Sequence, residues 1–140
     1  MLRQSSTTLL AQAPHQGLHE ITDGVIEWVL EQAIAAGLLT IFCRHTSASL
    51  LIQENAAGAA RRDLETYFGR IAPEDPSLYT HNDEGPDDMP AHLRTALTQT
   101  QLSIPIAGSR MMLGTWQGIY LFEHRREPPR REIALHLIGE

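Results

Sequence analysis

The spacing of apolar residues along the chain alternates between the period of two that is typical of strands and the longer period of a helix. Segment 5–12, SSTTLLAQ, is rich in threonine and predicts a first strand, and GLHEIT at 17–22 predicts a short second one. A helix is predicted next over 22–37, with Thr22 or Asp23 as its N-cap. Its apolar face comprises Ile21, Val25, Trp28 and Val29.

Gly37 is predicted to end that helix, because the apolar period beyond it becomes two. The run 38–54, LLTIFCRHTSASLLIQE, predicts two strands with a turn or bulge at its Ser-Ala-Ser. Four residues of the first strand fall on one face: Leu39, Ile41, Cys43 and His45. His45 therefore stands where a buried strand reaches the rim of the fold.

Two more helices flank a long acidic loop. Asn55 can cap a helix over 56–73, whose apolar residues recur at helical spacing. The loop 73–88 has sixteen residues, with three prolines and six acidic residues, and loops of this length are commonly functional or disordered. A third helix is predicted over 89–100, with Asp88 as its cap.

The C-terminal part of the chain is a run of strands. Four are predicted: LSIPIA at 102–107, RMML at 110–113, TWQGIYLFEH at 115–124 and REIALHLIG at 131–139. Gly108-Ser109 predicts a two-residue type II′ hairpin, and RREPPR is predicted to turn the last pair of strands. The order of elements predicts one α+β domain over 1–140, with a mixed or mainly antiparallel sheet and about three helices.

Charge and cysteine content narrow the classes of function. The net charge of -6 and the pI of about 5.6 disfavour binding to nucleic acid or to an anionic membrane. The single Cys43 cannot form an internal disulfide and fits a reducing compartment, so a cytoplasmic location is expected. Segment 1–15 has too short an apolar run for a signal peptide, and no later segment reaches membrane-spanning length.

Three of the seven histidines occupy positions from which their side chains can converge. His45 ends a strand, His81 lies in the acidic loop, and His92 lies near the start of the third helix. Neutral imidazole is a common zinc ligand, and a three-histidine site leaves one coordination position for water or substrate. The spacings, 36 and 11 residues, match no local metal motif, so ordinary surface or packing roles stay open. The other four are assigned to the surface or to packing: His15, His19, His124 and His136.

Charged clusters offer two further candidate sites. The acidic loop could hold a hard cation through Asp83, Glu84, Asp87 and Asp88, but it lacks the pattern of an EF-hand, and a solvated loop is the simpler explanation. An anion site could form from Arg125, Arg126, Arg130 and Arg131. Mutual surface pairs with Glu127 and Glu132 are expected instead, unless this turn faces the histidines.

A serine hydrolase is disfavoured. Thr46 and Ser47 follow His45 directly and Ser49 lies nearby, which suggests a nucleophile with its base. Neighbouring residues on a strand point to opposite faces, however, and no nucleophile elbow is present.

Several motifs together resemble the YjbQ-like family of small proteins, some of which are described as secondary thiamine-phosphate synthases. In chain order the motifs are HTSASLLIQEN, YTH, PAHL, IPI and RMMLGTWQGIYLFEHR, and the likeness extends from about residue 5 to the C-terminus. GTWQGI is the most specific of them.

The resemblance implies an α+β subunit that assembles as a homotrimer and gathers histidines around a metal or ligand pocket. His45, His81 and His92 match the family's histidines, and they are expected to bind a divalent metal, zinc rather than magnesium. Gln117 and Glu123 are expected to orient a ligand histidine or a bound water molecule.

Two functions are compatible with such a pocket. The first is thiamine-phosphate synthesis, which joins a pyrimidine pyrophosphate to a thiazole phosphate and releases pyrophosphate. The second is a non-catalytic trimer that binds a metal or a small ligand. The sequence leaves both functions open.

Overall fold

The computed structural model describes residues 1–140 and contains eight strands and three α-helices, which confirms the predicted α+β class. The strands are β1 (Arg3–Ala11), β2 (Gly17–Glu20), β3 (Ala36–Cys43), β4 (Ala48–Glu54), β5 (Gln101–Ala107), β6 (Arg110–Met111), β7 (Gln117–Glu123) and β8 (Arg131–Gly139). The helices are α1 (Thr22–Gln32), α2 (Gly58–Ile71) and α3 (Asp88–Leu97). None of the three has the length and apolar character needed to cross a bilayer.

The strands form two antiparallel sheets. The first has five strands in the order β1-β8-β3-β5-β6, and the second has three in the order β2-β7-β4. The predicted pairing of the last two strands is therefore wrong, since β7 pairs with β2 and β4 whereas β8 pairs with β1 and β3. Consecutive strands usually pair, but segment 124–130 carries the chain from one sheet to the other.

The main hydrophobic core contains residues from both sheets. The alternation predicted after Gly37 is confirmed, because Leu39, Ile41 and Cys43 are 0%, 0% and 2% exposed. Val25 and Val29 of α1 belong to the same core. Full burial of one such side chain contributes about 1.5–3 kcal/mol, so the core fixes the strands and with them the polar residues at the strand ends.

The first helix ends at Gln32 and not at Gly37. Ala33 adopts a left-handed conformation with φ of 51° and caps the helix. Gly37 lies in β3, opposite Gly139 of β8, where a Cβ atom would stand 2.3 Å from the carbonyl oxygen of Ile138. Glycine is required at position 37 by the close approach of two strands.

Gly108-Ser109 joins β5 and β6 as predicted, but the turn type differs. Both residues have positive φ, 58° and 62°, which is the pattern of a type I′ turn. A type II′ turn requires a positive φ only at its first position. The backbone N–H of Ser109 donates to the carbonyl oxygen of Ala35 at 3.0 Å, and this contact holds a non-glycine residue in the left-handed region.

Candidate metal centre

The start of α3 and the loop before it bring four potential metal ligands together. We call them the histidine–carboxylate cluster: His81, Glu84, Asp88 and His92, whose donor atoms all lie within 4.8 Å of one another. Asp88 and His92 are four residues apart, so both project from the same face of the helix. The helix begins at Asp88 with Asp87 as its N-cap, one residue earlier than the sequence predicts.

The Asp88 carboxylate is the centre of the cluster. Its Oδ2 lies 2.9 Å from Nε2 of His81 and 3.1 Å from Nε2 of His92. Nε2 of His81 also lies 3.5 Å from Oε2 of Glu84. Ligand atoms around a tetrahedral zinc ion are about 3.3 Å apart, since each stands about 2.0 Å from the ion. These three separations are close to that spacing, and all four donor atoms lie within 4.8 Å of one another.

Arg125 holds Asp88 in place from the segment that follows β7. Its Nη1 donates to Oδ1 of Asp88 at 2.6 Å, and its Nε donates to Oδ2 of Asp87 at 3.0 Å. Its Nη2 donates to the carbonyl oxygen of Glu84 at 2.9 Å. One guanidinium therefore orients a buried carboxylate and ties the acidic loop to the second sheet.

The Asp88 carboxyl group stays ionised although its side chain is only 3% exposed. Burial by itself would raise its pKa. The charge of His92, the hydrogen bond from His81 and the charge of Arg125 together outweigh burial and hold the pKa below the ordinary 3.8. Asp88 therefore presents a negative charge to the two imidazoles.

His92 has an acceptor at each of its ring nitrogens. Its Nδ1 donates to the carbonyl oxygen of Thr46 at 2.9 Å, which assigns the proton of the neutral ring to Nδ1. Nε2 then directs its lone pair at Oδ2 of Asp88, 3.1 Å away. Two lone pairs repel at that distance, so this position takes a cation, either a proton on an imidazolium or a metal ion.

The structure places His45 outside the histidine–carboxylate cluster. Its Nε2 accepts a hydrogen bond from the backbone N–H of Glu132 at 2.7 Å. Burial and the charge of Arg131 lower the pKa of His45 below 6.5, which favours this neutral acceptor form. His45 and His92 border one surface depression of about 470 Å³, which is otherwise lined by Thr46, Thr95, Ala96, Thr98 and Thr100.

Glu123 and Gln117 stand at opposite ends of β7, and neither is hydrogen-bonded to a histidine. Glu123 is 0% exposed and accepts hydrogen bonds from the Arg131 guanidinium and, at 3.1 Å, from the backbone N–H of Arg125. It thus supports the segment that carries Arg125. Oε1 of Gln117 accepts from the backbone N–H of Gly114 at 2.7 Å, at the far end of the strand.

Four arginines follow β7, and the sequence predicts that they pair with Glu127 and Glu132 at the surface. Three of the four pair with other carboxylates instead. The pairs are Arg125 with Asp87 and Asp88, Arg126 with Glu74, and Arg131 with Glu123. Arg130 has no carboxylate within 4.0 Å. The sequence indicates this cluster of arginines, but no sequence pattern predicts the contact between Arg125 and Asp88, which are 37 positions apart.

Sequence reasoning missed a buried chain of hydrogen bonds that begins at His124. His124 is 0% exposed, and its Nε2 lies 2.9 Å from Oγ of Ser49. That oxygen lies 2.6 Å from Oγ1 of Thr98, which donates its single proton to the carbonyl oxygen of Arg94 at 2.8 Å. Ser49 therefore donates to Thr98, and His124 donates through Nε2 to Ser49. Nδ1 of His124 has no hydrogen-bond partner and is the ring nitrogen that carries no proton.

Replacing His124 with Gln is expected to remove one source of acid instability. Burial, with the charges of Arg94 and Arg131, lowers the pKa of His124 to about 3, so the folded state keeps the ring neutral. The unfolded chain binds a proton below the ordinary pKa of 6.5. The contribution of His124 is thus complete above pH 6.5 and is lost as pH falls from there toward about 3, by about 1.4 kcal/mol per pH unit.

Urea unfolding at a series of pH values measures this effect as the difference in free energy of unfolding between the wild type and His124→Gln. The wild type should lose stability more steeply than His124→Gln through the acid range. Parallel curves would show that His124 is not held neutral.

These features define the chain as a small α+β protein with two antiparallel sheets and a histidine–carboxylate cluster at the start of its third helix. Its sequence matches a family model over nearly its full length. The chain belongs to the UPF0047 protein YjbQ-like family, whose model matches residues 6–140. The resemblance seen in the motifs is confirmed.

Relatives and solved structures agree with this assignment. UPF0047 protein sll1880 of Synechocystis is 46% identical over 138 residues, covering 99% of this chain and 94% of the relative. UPF0047 protein YjbQ of Escherichia coli is 39% identical over 134 residues, covering 95% of this chain and 96% of the relative. The crystal structure of a YbjQ-like protein from Sulfolobus solfataricus superposes with a TM-score of 0.92 over 100% of both chains, and at 23% identity it supports the fold alone.

Proposed function

We propose that the protein binds one divalent transition metal ion at the histidine–carboxylate cluster, and that the loaded site acts on a phosphorylated small molecule. The arrangement of His92 is the observation that supports this most. Its Nδ1 is committed to a carbonyl oxygen while its Nε2 faces an ionised carboxylate, so Nε2 and Asp88 are oriented to share a metal ion. Backbone fixation of the far nitrogen is how proteins orient a metal-binding imidazole.

The donor set favours zinc over magnesium. Two imidazole nitrogens and two carboxylates suit zinc and similar ions, whereas magnesium prefers oxygen ligands and keeps several waters. The proposed set retains His81 and His92 of the three histidines that the sequence indicates. Asp88 and Glu84 take the place of His45, because Nε2 of His45 already accepts from the backbone.

The residues around the cluster suit a phosphorylated substrate. A bound zinc ion would polarise a phosphoryl oxygen and stabilise the charge on a leaving pyrophosphate. In the depression beside His92, the exposed Thr46 and Thr100 offer hydroxyl donors to phosphate oxygens, and His45 borders it.

The finer proposal is that this chemistry is thiamine-phosphate synthesis, and it rests on the resemblance in the motifs. In that reaction a C–N bond forms between the thiazole nitrogen and the methylene carbon of the pyrimidine. The C–O bond to pyrophosphate breaks and pyrophosphate leaves. Residues of the chain would position both substrates and shield the reacting carbon from water.

An assay with zinc-loaded protein and the two substrates tests this proposal by following thiamine phosphate and pyrophosphate together. Turnover is expected for the wild type and for the matched control His15→Ala, whose exposed ring contacts the carbonyl oxygen of Gln16. His92→Ala should lose turnover by a factor of at least about 100. Saturable zinc uptake with no product would refute thiamine-phosphate synthesis and favour the non-catalytic binding protein, and absence of uptake would refute the zinc site.

We also propose that the subunit assembles as a homotrimer. The outer face of the five-stranded sheet leaves Leu38 and Phe42 of β3 42% and 43% exposed on a central strand. Their neighbours across β8 are Ile138 and Ala134, which are also partly exposed. An apolar patch on central strands favours burial against another copy, and the number of three copies rests on the resemblance in the motifs. A solution mass of three chains would support the trimer, and a single chain would contradict it.

A further inference from the structure

A second cavity lies at the other end of β7 from the histidine–carboxylate cluster. It measures about 440 Å³ and lies between the first turns of α1, the β5–β6 hairpin and the start of β7. Cavities of about 300–1,000 Å³ are typical of small-molecule sites. The length of β7 separates the two sites by about 20 Å, and they have no residue in common.

One wall of this cavity is apolar. Ile26, Val29 and Leu30 line it from α1, and Met111 and Leu113 line the opposite side. Ile26 and Leu30 are 40% and 49% exposed, so part of each apolar side chain is open to the cavity. This wall suits the hydrocarbon body of a small organic molecule.

The other end of the cavity holds an oriented carboxylate. Oε2 of Glu20 accepts hydrogen bonds from Oγ1 of Thr22 at 2.7 Å and from Nδ2 of Asn55 at 3.2 Å. Thr22 is itself fixed, since its Oγ1 accepts from the backbone N–H of Ile119 at 2.8 Å. Oε1 of Glu20 receives no hydrogen bond from the protein and is available to a ligand.

The GTWQG segment is shaped around this carboxylate. A Cβ atom at Gly118 would stand 2.7 Å from Oε2 of Glu20 and 3.0 Å from Cβ of Asn55, so glycine leaves the space that both side chains occupy. Gln117 lines the cavity, and its Oε1 is held by the backbone N–H of Gly114. Its amide nitrogen therefore remains as a donor at the same end.

We infer that this cavity binds a small organic cation, in which an ammonium or amidinium group meets Glu20 and an apolar body lies against α1. Two carboxylates line the cavity, Glu20 and Asp23, against one cation, Arg110. An N–H-rich cationic group matches the unpaired oxygen of Glu20, and a charged pair of this kind is stronger than a neutral hydrogen bond. Gln117 is a ligand-positioning residue of this second site.

Amide chemical shifts of the full-length protein test this inference with two probes of the same shape. Benzamidine carries the cation, and benzamide is its neutral counterpart. Benzamidine is expected to shift the signals of Gly114, Gln117 and the first turns of α1, and to bind at least about 10-fold more tightly than benzamide. The variant Glu20→Gln should abolish that preference, because the amide retains the bonds to Thr22 and Asn55 but not the charge.

Glu27→Gln is the matched control, because Glu27 is an exposed carboxylate of α1 that does not line the cavity. It should preserve the preference for benzamidine. Equal binding of the two probes, no binding of either, or an unchanged preference in Glu20→Gln would each overturn the inference. The probes require no residue of the histidine–carboxylate cluster, so their result is independent of the metal proposal.

Discussion

Replacing Arg131 with Met is expected to lower the free energy of unfolding by about 3–5 kcal/mol. The Arg131 side chain is 2% exposed, and its Nε and Nη2 donate to the two carboxylate oxygens of Glu123 at 2.7 and 2.5 Å. Without the guanidinium, the fully buried Glu123 keeps only the backbone N–H of Arg125 at 3.1 Å. Urea unfolding near neutral pH measures the loss.

Two further variants make this result specific. Arg130→Met removes the same group from the adjacent residue, which has no carboxylate partner, and should change stability by less than about 0.5 kcal/mol. The double variant Glu123→Leu with Arg131→Met should regain most of the loss, because it leaves no unpaired buried charge. A loss below about 1 kcal/mol in Arg131→Met would place the pair in the range of surface ion pairs and contradict its structural role.

Replacing Asp88 with Asn is expected to weaken zinc binding by a factor of at least about 100. Asp88 supplies the oxygen that both imidazoles face, and its charge is the centre of the cluster. An amide preserves the size of the side chain but removes that charge. Competition with a chromophoric chelator measures the affinity.

Asp83→Asn is the matched control for that change. Asp83 is an exposed carboxylate of the same loop and lies outside the cluster, so its replacement should leave the affinity unchanged. Circular dichroism verifies that Asp88→Asn remains folded despite the lost contact with Arg125. Equal zinc affinity in Asp88→Asn and wild type would rule out Asp88 as a ligand.

The sequence predicts the elements well because each has its own apolar period, but it does not predict how the strands are divided between two sheets. The alternation of Leu39, Ile41 and Cys43 identifies β3 and its buried face. Nothing in that alternation states which strands pair. The assumption that consecutive strands pair fails at segment 124–130, where two strands close in sequence belong to different sheets.

For the candidate site, the sequence predicts only contacts between residues that are close together in the chain. His92 and Asp88 share a helix face by their spacing, but the sequence predicts a helix that begins one residue later, with Asp88 as its cap. The contact of Arg125 with Asp88 spans 37 residues and depends on the path of the chain between sheets. The sequence assigns His45 to the site because it follows a strand. That position does not reveal that Nε2 of His45 accepts a hydrogen bond from the backbone of Glu132.

The metal content of untagged protein purified without chelator tests the central claim most directly. Inductively coupled plasma mass spectrometry should find about one zinc or similar ion per chain in the wild type. It should find markedly less in His81→Ala, His92→Ala and Asp88→Asn. A folded wild-type protein that carries no metal and takes up none from added zinc would contradict the account.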